Sequence, residues 1–352
     1  MENTVVNITL QELLNASSEI LNEKIGKAFG SDGLGLLTIS EVSTLAKPKE
    51  STLSYGRKLY SLSDEEKQKI TDPESGFSFG WSHGKEIFKG KPDLKKCSFY
   101  ANPQYDLPYD NPELIEKYPY ICRQNVWPES LPQFKPEFQR TCDIIINIGH
   151  LLIERIDSYI KSVNPQYPDH RVFNLIKESR THKSRLLHYL PSDSEDDWCG
   201  WHNDHGALTG LLPPIYYDDN GNKIPNPDPN SGLWVASRDQ KITRVEPSDD
   251  VIIFQIGETY QILSGAVVQA TPHCVKSPRN AQGVSRSTLA TFMDIHWDTE
   301  MSVPPGTTND NVLNKCIISE VAKEVPSLAS RWTPGESYHC FSEKTYQAYL
   351  NK

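Results

Sequence analysis

Apolar positions follow two regimes along the chain, with helical spacing dominating the first 161 residues and short extended runs dominating from Arg185 to Trp297. Thr9-Leu10-Gln11-Glu12 has the form of a capping box, and Leu10, Leu13, Leu14, Leu21, Ile25, Ala28 and Phe29 then recur at helical spacing up to Gly30. Gly33 to Ile39 reads as a short buried strand, and Ser63 to Glu66 forms a second capping box ahead of a short helix. Residues 76–90 are rich in glycine and aromatics and read as loop or irregular strand. Phe77, Phe79, Trp81, Phe88, Phe99 and Tyr100 read as core side chains, with the wall of a substrate pocket as the alternative. A proline-dotted connector fills 101–135. Pro136 then opens a helix running to about 161, with Phe138, Cys142, Ile145, Ile146, Leu152, Ile153, Ile156 and Ile160 on the side that backs a sheet.

Beyond Arg185, Asp219-Asn220-Gly221-Asn222 is a hairpin-turn signal, followed by the extended loop 225–229. Residues 307–330 read as a C-terminal helix, and the tail after Trp332 reads as polar and irregular. The pattern predicts a mainly β protein with flanking helices (α+β) and a double-stranded β-helix, or jelly-roll, core over roughly 170–300. Its parts are an N-terminal α/β segment, 1–130, and a core, 131–352, with backing and C-terminal helices, forming one structural unit.

Composition narrows the function. Lys+Arg 36 against Asp+Glu 46 gives a net charge of −10, the wrong sign for a protein whose affinity comes from phosphate contacts, so nucleic acid is not the expected partner. The acidic cluster Asp193, Glu195, Asp196, Asp197 reads as a solvated loop. The first residues lack the basic start and apolar core of a secretory signal, and no apolar run reaches membrane-spanning length, so a soluble, cytoplasmic protein is expected. The oligomeric state is left open, with a monomer favoured. The seven cysteines are scattered with no C-x-x-C pair, which suggests neither a disulfide framework nor a zinc site.

The candidate chemistry lies in Trp201-His202-Asn203-Asp204-His205. On an extended strand His202 and Asp204 project to one face, whereas Trp201 and His205 project to the other and read as packing or supporting residues. His273 follows 71 residues later (273 − 202), after a series of strands able to return it to the same place. Two histidines and one carboxylate on one side of a metal, with the other positions open, suit non-haem Fe(II) oxygen chemistry. Cys274 points to the opposite face from His273 and reads as packing.

Further motifs surround these residues. Leu186 to Pro191 (LLHYLP), Gly232 to Val235 (GLWV), Phe254 to Glu258 (FQIGE), Ile262 to Gly265 (ILSG) and Ser285 to Thr288 (SRST) follow the order seen in the 2-oxoglutarate and Fe(II)-dependent dioxygenases. The chain resembles in particular the branch that includes isopenicillin N synthase and the plant hormone and flavonoid oxygenases, most strongly over 185–297. The resemblance implies Fe(II) held by His202, Asp204 and His273, 2-oxoglutarate as cosubstrate and O2 as oxidant. It implies that 2-oxoglutarate is decarboxylated to succinate while a small-molecule substrate is hydroxylated or desaturated. The distal carboxylate of 2-oxoglutarate needs a fixed cation, and Arg286 offers a planar fork that matches it. Thr288, on the Arg286 face, stands where the family usually has serine, and Tyr189 matches a tyrosine that hydrogen-bonds the same carboxylate. Leu187 stands where many plant members carry asparagine. Asp294 and His296 share the Arg286 face farther along and are further pocket candidates. An oxidase resembling isopenicillin N synthase, which uses no 2-oxo acid, remains an alternative. So does a non-catalytic binding module, although such a module would normally have lost a ligand or the arginine, and neither is lost.

Overall fold

The break in periodicity near Arg185 coincides with the centre of a large sheet. In the computed structural model, which describes residues 5–350 apart from 86, 89–90, 192–196, 239–240, 280–282, 314–320 and 322, Lys183–Tyr189 runs antiparallel between Ser285–Met293 and Lys96–Ala101. The full order of this sheet is Val6–Thr9, Leu36–Ser40, Ile252–Ile256, Leu208–Leu211, Ser285–Met293, Lys183–Tyr189, Lys96–Ala101, Gly80–His83. The hairpin of Ile215–Tyr217 with Lys223–Ile224, turning at the predicted Asn220-Gly221, attaches to Ser285–Met293. A second sheet has the order Ile242–Arg244, Gly232–Ala236, His273–Lys276, Cys199–His202. The two sheets form the jelly-roll core, as expected, but they do not close into a barrel among the described residues. N-terminal strands extend the larger sheet at both ends, so segments 1–130 and 131–352 share one sheet.

The backing helix spans Phe134–Val163, starting two residues before Pro136, and it buries all eight of the apolar positions read from the sequence. Its approach to the sheet is close. A Cβ on Gly210 would lie 2.2 Å from Ile145 Cγ2, and one on Gly149 would lie 2.4 Å from the Met293 sulfur, so glycine at both positions lets helix and sheet meet.

Elsewhere local signals misled. The N-terminal apolar series forms two helices, Leu10–Asn15 and Ser18–Phe29, because Ala16 is extended and Ser17 caps the second by accepting from the Ile20 amide. The helix Ala46–Tyr60 was not predicted. Its interior face includes Lys49, Thr52 and Gly56 beside Leu53 and Leu59, and no side chain caps its start. Phe79 and Phe99 are core, Trp81 is buried, Phe77 and Tyr100 are half-buried, and the Phe88 side chain lies outside the described residues, as do Asp193, Glu195 and Asp196. Among the described residues no helix is long and apolar enough to cross a membrane.

The C-terminus requires the largest correction. Within 307–330, Asn309–Leu313, Val321 and the short turn Leu328–Ser330 are helical among the described residues, and 314–320 with 322, on which most of the expected helix falls, lie outside them. The region after Trp332, read as irregular, carries the helix Tyr338–Leu350, which buries Tyr338, Phe341 and Thr345. A buried ion pair adds to this apolar anchor. Arg331 donates to both carboxylate oxygens of Glu258 at 2.7 Å, to Thr345 Oγ1 at 2.9 Å and to the Pro326 carbonyl at 3.0 Å, with the arginine and glutamate side chains each 1 % exposed.

Removing one member of such a pair leaves an uncompensated buried charge. Arg331→Met should therefore lower unfolding free energy by about 3–5 kcal/mol, and Arg331→Met with Glu258→Gln should lose less than the sum of the single changes. Chemical denaturation followed by circular dichroism measures both, and strict additivity would refute the coupling.

Candidate metal centre and its carboxylate anchor

Strand pairing brings the two histidines together. His202 and His273 are direct partners in the smaller sheet, with ring centroids 4.2 Å apart. Asp204 lies just beyond the end of Cys199–His202, and its Oδ1 is 3.9 Å from His202 Nε2 and 3.8 Å from His273 Nε2. One ligand atom from each of the three residues falls within 4.8 Å of the others, a spacing that one metal ion can bridge.

Asp204 is placed by its backbone as well as its side chain. Its carbonyl accepts from the Glu258 amide at 2.8 Å, and the neighbouring His205 carbonyl accepts from Thr259 Oγ1 at 2.6 Å. A Cβ on Gly257 would lie 2.0 Å from the Gly206 carbonyl oxygen, so this docking needs glycine. Thr209 Oγ1 donates to Asp204 Oδ2 at 2.6 Å, leaving Oδ1 facing the imidazoles. Burial opposes the charge on Asp204, yet the two imidazoles and the Thr209 hydroxyl hold its carboxyl below the ordinary range.

Each histidine presents Nε2 to the shared point because its other nitrogen is engaged. His202 Nδ1 is 2.8 Å from the Gly200 carbonyl, so that N–H donates there and Nε2 is the nitrogen that faces Asp204. Burial works against charge on His202, but the Cys199 sulfur, 3.8 Å from Nδ1, and Asp204 raise the metal-free imidazole to about 9. His273 Nδ1 is 2.5 Å from the Gln255 side-chain amide and 3.3 Å from the Thr271 carbonyl, and burial pushes this imidazole down to about 4. With the Gln255 amide turned so that its oxygen faces the ring, Nδ1–H donates to it and Nε2 is freed for a metal. The donor set fits a divalent metal bound on one side by two nitrogens and one oxygen.

Arg286 lies on Ser285–Met293 in the larger sheet, opposite Tyr189. Its side chain is 3 % exposed, its Nε and Nη1 have no hydrogen-bond partner, and the guanidinium lies 5.0 Å from the ring centre of Tyr189, its cross-strand neighbour. Trp198 stacks on Tyr189 in turn, with ring centres 5.2 Å apart. Burial raises the Tyr189 phenol above its usual range and keeps it protonated as a donor. Thr288 shares the Arg286 face, but its hydroxyl donates to the Leu212 carbonyl at 2.6 Å and would have to leave that acceptor to serve a carboxylate.

The remaining candidates lie outside the cluster. His205 turns away, with Nε2 3.0 Å from Ser342 Oγ and its ring against Tyr338. Trp201 packs beside Ala236, Val321 and Val325. His296 packs on Trp297 at 3.9 Å, and Asp294 keeps a buried, unpartnered Oδ1.

Comparison with solved structures adds an independent line. A protein of Caulobacter crescentus assigned to the 2OG-Fe(II) oxygenase family superposes with a TM-score of 0.70 at 20% identity, covering 98% of this chain and 99% of that one. The fold is that of the 2-oxoglutarate/Fe(II) oxygenases. A full-length Neurospora crassa protein in complex with alpha-KG gives 0.68 at 17% identity, covering 98% and 97%. AtDAO1, a dioxygenase for auxin oxidation from Arabidopsis thaliana seen with 2-oxoglutarate, gives 0.59 at 17% identity, covering 87% and 98%. No protein-family profile and no curated protein matches the sequence.

The sequence reading missed Gln255 and the support behind Asn203. Asn203, between His202 and Asp204, donates through Nδ2 to Glu258 Oε1 at 2.9 Å and through its amide to the Tyr349 hydroxyl at 3.0 Å. The C-terminal helix thus props the 202–204 segment, which carries two of the three candidate ligands. For Gln255, the contact with His273 generates a prediction. Gln255→Leu should weaken Co(II) binding by about 10–100-fold, whereas Gln255→Glu should preserve it, because either an amide or a carboxylate oxygen can accept from Nδ1–H. Calorimetric titration of the metal-free protein distinguishes the two, and equal affinity in wild type and Gln255→Leu would remove the orienting role.

Proposed function

We propose that the protein is a non-haem Fe(II) and 2-oxoglutarate-dependent oxygenase that hydroxylates or desaturates a small molecule, in the isopenicillin N synthase-like branch. The observation that carries this reading is the presence in one jelly-roll fold of two features: three converging metal ligands, and a buried arginine whose Nε and Nη1 have no hydrogen-bond partner among the described residues. A buried cation without a counter-ion is unfavourable, and it persists where a ligand anion completes it.

His202, Asp204 and His273 would hold Fe(II), leaving adjacent positions open for a 2-oxo acid and O2. Bound there, the iron would supply the oxygen activation that couples decarboxylation of the 2-oxo acid to oxidation of the substrate. Arg286 would pair with the distal carboxylate, and Tyr189 would add a neutral donor. Leu187 and Ala290, from neighbouring strands of the larger sheet, help to form an apolar interior cluster, which favours exclusion of water. The solved relatives include complexes with thymine and with JA, and this range supports a small organic substrate without choosing one. The acidic net charge disfavours nucleic acid as a substrate, and the six described cysteines, all free thiols, suit a reducing compartment such as the cytoplasm.

Anaerobic Fe(II) protein should develop a metal-to-ligand charge-transfer band on addition of 2-oxoglutarate. His202→Ala, Asp204→Ala and His273→Ala should each abolish tight iron binding, whereas His205→Ala should not. Arg286→Ala should weaken 2-oxoglutarate by about ten- to a hundredfold, the equivalent of about 1.5–3 kcal/mol for a charge-assisted contact, with iron binding retained. Arg286→Lys should recover part of the loss. Absence of the band in wild type at millimolar 2-oxoglutarate would transfer the assignment to an oxidase that uses no 2-oxo acid.

A further inference from the structure

Selection of a 2-oxo acid by length requires a cation held at a fixed distance from the metal. Arg286 is held weakly. Its Nε and Nη1 bond to nothing among the described residues, and its evident restraint is the face of Tyr189 at 5.0 Å. A guanidinium braced by carboxylates or carbonyls keeps its position, as Arg331 does with Glu258 and the Pro326 carbonyl.

The space beside Arg286 is also open. A cavity of about 790 Å³ reaches from Arg286 past the apolar side chains of Leu211, Leu233 and Ile253 to the start of the helix Ala46–Tyr60. Lys49, 6 % exposed, lines it and donates to the Asp249 carbonyl at 2.6 Å, and the far end of the cavity also carries Glu41, Glu50, Glu246, Asp249 and Asp250, so the cavity offers room to Arg286 rather than a second anion site. None of the three candidate metal ligands lines this cavity, so it is room that Arg286 borders and the metal centre does not. A loosely held cation bordered by empty space can recede into it, and the chain of a longer diacid can follow.

We propose that the carboxylate anchor is adjustable in length, so that the site accepts 2-oxo diacids longer than 2-oxoglutarate, with 2-oxoadipate the simplest case. The proposal rests on the reading of Arg286 as cosubstrate anchor. In a pocket of fixed length one methylene discriminates by about 10–200-fold. Here 2-oxoadipate should bind within about tenfold of 2-oxoglutarate, because the methylene is accommodated by the cavity.

The test titrates the anaerobic Fe(II) protein separately with 2-oxoglutarate and 2-oxoadipate, following the charge-transfer band. Affinities within about tenfold of each other support the proposal, and a 2-oxoadipate affinity weaker than that overturns it while leaving the oxygenase reading intact. A band with neither acid removes that reading and the proposal with it. Leu233→Phe and Ile253→Phe, each narrowing the cavity, should weaken 2-oxoadipate by at least fivefold more than 2-oxoglutarate in the variant that folds. Equal effects on both acids would show that the cavity plays no part in length selection.

Discussion

Two imidazoles 71 residues apart in sequence (273 − 202) must converge with a carboxylate on one point, and the rest of the structure is arranged around that requirement. The direct pairing of His202 with His273 in the smaller sheet brings the nitrogens together, but a two-strand pairing alone would leave Asp204 free to swing. Its position is fixed from the opposite sheet, where Thr209 takes one carboxylate oxygen and the 257–259 segment takes the backbone. The close contact of Gly257 with the Gly206 carbonyl shows how little room that docking allows.

The buried charges divide into two kinds. Arg331 and Glu258 satisfy each other, and Asp157 accepts from Tyr167, Tyr260 and the Phe173 amide, so both groups serve the fold. Arg286 is as deeply buried as these and has no such partner, and the Asp204 carboxylate faces two imidazoles across gaps of nearly 4 Å. Unfinished polar contacts of this sort are unfavourable in a packed interior, and at Arg286 and Asp204 a bound ligand would complete them. The ion pair that locks the C-terminal helix reaches the same compartment through Asn203, so a feature of stability also bears on the geometry of the candidate ligands.

Strand alternation was enough to place His202, His273 and Arg286, since a period of two is a local property of the chain, whereas Asp204 lies just beyond its strand and is held by Thr209 and the Glu258 amide. What alternation could not supply was the identity of partners across the fold. Thr288 lies on the face it predicts, yet the Leu212 carbonyl holds its hydroxyl, and no local pattern encodes that contact. Gln255 looks like an ordinary strand residue until the second sheet brings His273 to it. The helix Ala46–Tyr60 escaped because its buried face includes a lysine, a threonine and a glycine. The C-terminal helix escaped because its sequence is largely polar, with only Tyr338 and Phe341 reaching the main core and the Arg331–Glu258 pair beside it meeting Thr345. The N-terminal break at Ala16 and Ser17 is the reverse case, a strong apolar series divided by a local cap.

The most direct measurement concerns the fate of molecular oxygen. Fe(II)-loaded protein supplied with 2-oxoglutarate under 18O2 should release CO2 and succinate carrying one 18O atom per molecule, even before the organic substrate is known, and Asp204→Ala should produce none. Oxygen consumption without labelled succinate, in a protein that binds iron stoichiometrically, would contradict the assignment of Arg286 and the metal triad to a common 2-oxo acid chemistry.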